Sequence, residues 1–160
     1  MRNLFSKVYN KLMYKIYIYK NKLQLVKFIG IKKGKNLQVY GNIKIFGNRC
    51  NIIIGSNCSL NEGVMISANS QISFGNNVTI SSYSVLHTGY LDLNGFPIKS
   101  HIYKPITIGN NVWIASHCII GGGITIGDNI VIGANSFVNK DLESGYFYAG
   151  TPIKKIRKLN

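Results

Sequence analysis

Acidic residues are scarce: the 160-residue chain holds five Asp and Glu against nineteen Lys and Arg, a formal net charge of +14 at pH 7. Cysteine is also sparse. Cys50, Cys58 and Cys118 are an odd number with no CxxC pair, which argues against both a disulfide framework and a tetrathiolate metal site and suits a reducing compartment. No uncharged apolar run approaches the roughly 18 residues a spanning helix needs. Lysines every four or five residues break what would be the core of a signal peptide, so a cytoplasmic protein is expected. A hydrophobic fraction of 46% with 17 glycines excludes a disordered tail or a fibre and fits one compact domain.

The basic excess sits at the two ends. Residues 1–35 carry ten basic side chains and no acid, and Lys154, Lys155, Arg157 and Lys158 close the chain. Between them, residues 36–153 are neutral, with five bases and five acids. In residues 2–20, Leu4, Phe5, Val8, Tyr9, Leu12, Met13, Ile16 and Tyr17 fall on one helical arc opposite Lys7, Lys11 and Lys15. This predicts a basic amphipathic helix. Its apolar face either packs on the first turns of the body or attaches to an anionic membrane surface. Nucleic acid is not expected, because the basic segment contains no known binding module.

The body repeats every six residues. Ile108, Ile114, Ile120, Ile126, Ile132 and Val138 form one aliphatic series, and Ile106, Val112, Cys118, Ile124, Ile130 and Ser136 precede it by two. The same frame runs upstream through Ile54, Leu60 and Ile66, then, after a shift of two, Phe74, Ile80 and Leu86. A period of six fits neither an α-helix nor a free amphipathic hairpin. It describes a short strand plus a corner that visits left-handed backbone angles, the province of Gly and then Asn. Gly55-Ser56-Asn57, Gly75-Asn76-Asn77, Gly109-Asn110-Asn111, Gly127-Asp128-Asn129 and Gly133-Ala134-Asn135 are such corners. The expectation is a solenoid of parallel strands stacked about 4.8 Å apart.

On these repeats the chain resembles the hexapeptide-repeat acyltransferases, of the sugar O-acetyltransferase type. The resemblance implies an all-β left-handed parallel β-helix, three units per coil, assembled as a homotrimer. Three segments are expected: a helical segment over 1–35, the β-helix catalytic domain over 36–153 and a basic tail over 154–160.

The frame is broken once at length. Leu86 and Ile108 stand 22 residues apart where six would do, so an arm spanning about 87–105 leaves the solenoid. Its Tyr, Phe and Leu residues argue that it packs on something. In the acetyltransferases this chain resembles, a histidine at the start of such an arm, followed by Pro-Ile-Thr-Ile-Gly-Asn-Asn-Val-Trp-Ile, is the general base. His87 and Pro105 through Ile114 match that arrangement. Asp92, Glu62 or a backbone carbonyl are candidates to orient it. His101, inside the arm, reads as a packing or solvated residue, and His117 as an outward or interface one. Gaps of 14 and 16 residues between the three histidines do not supply closely spaced zinc ligands, so no metal is expected.

The resemblance also implies acetyl-CoA as co-substrate. By matched position Trp113, Ser116, Ala134, Asn139, Lys140, Lys154 and Arg157 would line a coenzyme A groove between subunits, the cations facing phosphates. Asn139 replaces the usual Thr, and Lys154 a common Arg. Asn69, in Ser67-Ala68-Asn69, corresponds to a residue that contacts the acceptor; Ser67 stands where the family has Tyr. The activity implied is O-acetylation of a sugar hydroxyl, in surface polysaccharide synthesis, by direct attack on the thioester. Serine, xenobiotic or amino-sugar acetylation, and a non-catalytic scaffold, are the alternatives.

Overall fold

The computed structural model describes residues 2–94 and 100–159. Its body is a solenoid of three parallel sheets. The first face stacks Lys32–Lys33, Ile52–Ile54, Ile72–Phe74, Ile106–Ile108 and Thr125–Ile126. The second stacks Gln38–Val39, Ser59–Leu60, Thr79–Ile80, Val112–Ile114, Ile130–Ile132 and Tyr146–Ala149, and Lys154–Lys158 closes it as an antiparallel edge. The third stacks Lys44–Gly47, Met65–Ala68, Val85–His87, Ile119–Gly121 and Phe137–Val138.

The six-residue series become vertical ladders inside the prism. Val39, Leu60, Ile80, Ile114, Ile132 and Tyr148 are successive Cα partners on the second face. Ile45, Ile66, Leu86, Ile120 and Val138 are successive partners on the third. Each buried aliphatic residue thus lies on a near copy of itself, and truncating one to alanine would cost about 2–5 kcal/mol. Ser84 and Ser136, also buried, are satisfied. Ser84 Oγ donates to Ala115 O at 2.9 Å, and Ser136 Oγ donates to Gly133 O at 2.6 Å.

The corners divide the work between Gly and Asn differently from the sequence expectation. The left-handed residue is the Asn: Asn57, Asn77, Asn111, Asn129 and Asn135 have φ between 54° and 58°. Asn77 Nδ2 donates to Asn111 Oδ1, and Asn111 Nδ2 to Asn129 Oδ1, both at 2.9 Å. The preceding glycines are needed for space instead. A β-carbon at Gly75 would lie 2.6 Å from the Gly109 carbonyl oxygen of the next coil.

The N-terminal helix, α1, spans Arg2–Gln24 and leads through a 3-10 turn, Leu25–Phe28, to the first coil. Phe28 and Ile31 already belong to the core, and the first strand lies at Lys32–Lys33, so the solenoid begins inside residues 1–35. Packing of the helix on the body is not what the structure has: Val8, Tyr9, Leu12, Met13, Ile16 and Leu23 are all exposed. Leu4, Phe5 and Tyr17, assigned to the same arc, have side chains outside the described ones. The basic tail is not loose but a strand, and its Lys155 Nζ meets Glu143 Oε2 at 2.6 Å. Among the described residues no helix is long and apolar enough to cross a membrane.

Candidate active site

His87 ends the third-face strand Val85–His87. Leu86 points into the core, so by strand alternation His87 points out, and it is exposed. Its Cα partners are Ser67 on one neighbouring coil and Gly121 on the other. No hydrogen bond or ion pair restrains the imidazole among the described residues. Neither carboxylate considered for orienting it does so: Glu62 Oε2 accepts the Asn42 N–H at 2.9 Å and Asp92 Oδ1 the Asn94 N–H at 2.9 Å. Gly89 leaves one edge of the ring open, since a β-carbon there would stand 3.4 Å from His87 Nε2.

Thr88 is the residue sequence reasoning missed. It is fully buried, and its Oγ1 donates to Ser67 O at 2.9 Å while accepting the N–H groups of Asn69 at 3.1 Å and Ser70 at 3.2 Å. One hydroxyl therefore ties the strand of His87 to the turn of Asn69. Asn69 and His87 lie at the same corner. The available signal was a hydroxyl residue directly above a two-residue insertion in the repeat.

The arm leaves at this corner. It is a hairpin, with Gly89–Leu91 antiparallel to His101–Tyr103, and the expected arm residues Gly95, Phe96, Pro97, Ile98 and Lys99 lie outside the described residues. Of its described apolar side chains, Leu91 and Leu93 are exposed. His101 stacks on Tyr103 with ring centroids 6.3 Å apart. His117 occupies a left-handed corner position, φ 61°, and stacks on Tyr83 at 5.3 Å. Among the described residues no group of three or more His, Cys, Asp or Glu side chains could hold a metal ion.

The coenzyme A candidates fall into two sets. Trp113 and Arg157 share one outward row of the second face, Trp113–Val131–Phe147–Arg157. Lys154 lies on the strand of Arg157, and Ser116 and Ala134 lie on the corner beside that face, where the Asn135 N–H donates to Ser116 O at 3.1 Å. Trp113 is exposed, and its indole N–H donates to Ser81 Oγ at 3.0 Å. Asn139 and Lys140 instead follow Phe137–Val138, on the far edge of the third face. One protomer therefore does not gather the seven residues around His87.

Two further features bear on chemistry. Beside His87 the third face turns an outward column of Met65, Val85, Ile119 and Phe137 to its surroundings, with Ile119 and Phe137 exposed. Cys58 and Cys118 are buried, which pushes both thiols above their ordinary pKa and makes them poor nucleophiles.

Comparison with known proteins places this geometry. The family described as bacterial transferase hexapeptide (six repeats) matches residues 105–140. The galactoside O-acetyltransferase of Escherichia coli K12 is 40% identical over 122 residues, 72% of this chain. The chain spans 58% of that relative's length. A candidate colanic acid biosynthesis acetyltransferase of E. coli K12, WcaF, is 31% identical over 143 residues, which cover 88% of this chain and 76% of the relative. Among solved structures, galactoside acetyltransferase in complex with coenzyme A superposes with a TM-score of 0.77 at 37% identity, covering 81% of this chain and 65% of that one. A maltose O-acetyltransferase from Clostridium difficile 630 gives 0.75 at 34% identity, with 82% and 70% covered. With repeat, register and relatives in agreement, the chain belongs to the hexapeptide-repeat transferases, and its solenoid is the left-handed parallel β-helix.

Proposed function

We propose that this protein transfers the acetyl group of acetyl-CoA to a sugar hydroxyl, with His87 as general base. The observation that carries the reading is the placement of His87: outward, unrestrained, at the mouth of the arm and tied through Thr88 to Asn69. The relatives support the substrate classes, since two are named for galactoside and maltose O-acetylation and one solved relative holds coenzyme A.

The imidazole takes the proton of the sugar hydroxyl as its oxygen attacks the thioester carbonyl carbon. Backbone or polar groups near Asn69 and the adjoining coil stabilise the resulting oxyanion. The tetrahedral intermediate collapses with cleavage of the C–S bond, and the departing thiolate recovers the proton from the imidazolium. An acyl-enzyme is not invoked: Cys58 and Cys118 are buried, and the exposed Cys50 follows the Lys44–Gly47 strand, two strands from that of His87.

The site would be completed between copies in a homotrimer. The outward Met65, Val85, Ile119 and Phe137 column, exposed at Ile119 and Phe137, supports that arrangement, as does the separation of the second-face set (Trp113, Ser116, Ala134, Lys154, Arg157) from Asn139, Lys140 and His87. The acceptor would be a glycan of a surface polysaccharide, a role for which WcaF is the supporting relative. Such work would place the enzyme in the cytoplasm, at the inner face of the membrane.

Calorimetric titration with acetyl-CoA and with CoA, with the solution mass measured in parallel, tests the reading. Micromolar binding to a trimer is expected, retained in His87→Ala while turnover falls by on the order of 10²–10⁴-fold. A folded protein that binds neither thioester nor thiol would leave the coil as a scaffold.

A further inference from the structure

We propose that the N-terminal end of this protein is a docking surface for an anionic lipid bilayer, with α1 lying in the headgroup region. At 100° per residue, Val8, Tyr19, Leu12, Leu23, Ile16 and Tyr9 fall within about 100° of one face of α1. Each of these side chains is exposed, between 38% and 65%. The helix meets the body at its own 3-10 turn and at the Gln38–Val39 strand, which leaves this face without cover in the fold.

Charge selects the occupant. Lys7, Lys11 and Lys15 form an exposed line four residues apart beside the apolar face, within a segment of ten cations and no acid. A second copy would present the same ten cations, so helix-to-helix packing would set like charges together. An anionic bilayer takes both properties at once: acyl boundary for the apolar face, phosphate for the lysines.

The basic surface continues where α1 joins the solenoid. Lys27, Lys44 and Arg49 line a cleft of about 310 Å³ whose floor includes Phe46, a half-exposed aromatic ring. Lys27 Nζ is held there by Asn42 Oδ1 at 2.7 Å and Ile43 O at 3.1 Å, while Lys44 and Arg49 have no carboxylate partner among the described residues. Phe46 shares the outward column of Ser67 and His87, two strand spacings or about 10 Å from the histidine. Docking by this end therefore brings the His87 column close to the lipid surface. The proposal stands on the helix and the cleft, independently of acetyl transfer.

Flotation of the full-length protein with vesicles of phosphatidylcholine alone, and of phosphatidylcholine with about a third phosphatidylglycerol, tests it. Recovery is expected with the anionic vesicles only, and it should fall as salt is raised. Replacing Lys7, Lys11 and Lys15 with Gln should lower partitioning on the order of a hundredfold. Leu12→Ser with Ile16→Ser should also release the protein, with the thermal unfolding of the solenoid unchanged in both variants. Equal recovery with both vesicles, or with neither, overturns the proposal. So does anionic recovery that the Leu12 and Ile16 substitutions leave untouched, or a fall in solution mass caused by them, which would mean that a second copy covers the face. Loss of coenzyme A binding by the unmodified protein would count against acetyl transfer and leave the docking result intact.

Discussion

The three vertical corners of the prism obey the repeat unequally. Between the first and second faces, Ile54 to Leu60, Phe74 to Ile80, Ile108 to Ile114 and Ile126 to Ile132 each span six residues. The corner between the second and third faces keeps the same spacing from Val39 to Ile45 through Ile132 to Val138. The corner between the third and first faces does not. There Ile45 to Ile54 spans nine, Ile66 to Phe74 eight and Leu86 to Ile108 twenty-two, and only Ile120 to Ile126 returns to six. Asn69 stands in the second interruption, and His87 opens the third. The corner between the first and second faces binds coil to coil through asparagine amides, Asn36 to Asn57 and Asn77 to Asn111 to Asn129. Freed from that register, the irregular corner is where polar side chains can be aimed outward, and it carries the proposed chemistry.

If that division holds, a change at a regular corner costs stability. Gly75→Ala is the largest effect expected, because its β-carbon meets the carbonyl carbon and oxygen of Gly109, which are fixed in the backbone of the next coil, as well as Asn110 Oδ1. Urea unfolding should show a loss of about 3 kcal/mol. An alanine accepted there without loss would break the comparison, since it would mean that the coils are not held at their closest spacing by these glycines.

Thr88→Val probes the other side. Valine keeps the volume but removes the acceptor for the Asn69 and Ser70 N–H groups, both at a corner open to water, so unfolding should shift by only about 1 kcal/mol. The consequence should appear in the reaction: a raised acceptor KM and lowered kcat, with coenzyme A affinity unchanged. Thr88→Ser, which restores the hydroxyl, should recover most of both. A variant that merely loosened the fold would lose coenzyme A affinity as well.

These two substitutions also mark what was legible in the sequence. The ladders and the regular corners were, because the same residue type must recur wherever the same backbone recurs: Ile114 follows Ile108 for the reason that Asn129 follows Asn111. So was the arm, as an interruption of the count. What the glycines do was not legible, since a residue required by the coil stacked on it leaves no local trace; Gly75 answers to Gly109, 34 positions away. Thr88 is silent in the sequence for the same reason, its partners lying 18 to 21 residues earlier. The exposed face of α1 was legible as amphipathic, but whether anything covered it depended on tertiary contacts that periodicity does not encode.

The cysteines sharpen the comparison with the smallest effect. Cys58 and Cys118 each lie under a regular corner: Cys58 Sγ contacts Gly75 O at 3.3 Å, and Cys118 Sγ contacts Gly133 O at 3.2 Å. Cys50 is exposed, in the 3-10 turn Arg49–Asn51 of the irregular corner. Alkylation of the native protein should therefore modify Cys50 alone, with the other two reacting only after unfolding. Burial raises both protected thiols above their ordinary 9.0, so the folded chain holds those protons more tightly than the unfolded one. Above pH 9 the unfolded thiols ionise first and stability declines as pH rises. That decline should be weaker in a Cys58→Ala, Cys118→Ala variant, whose urea unfolding would be compared with the parent at pH 8 and pH 10. Labelling of Cys118 at the rate of Cys50 would show that its corner opens in the native state, and the line drawn between regular and irregular corners would have to move.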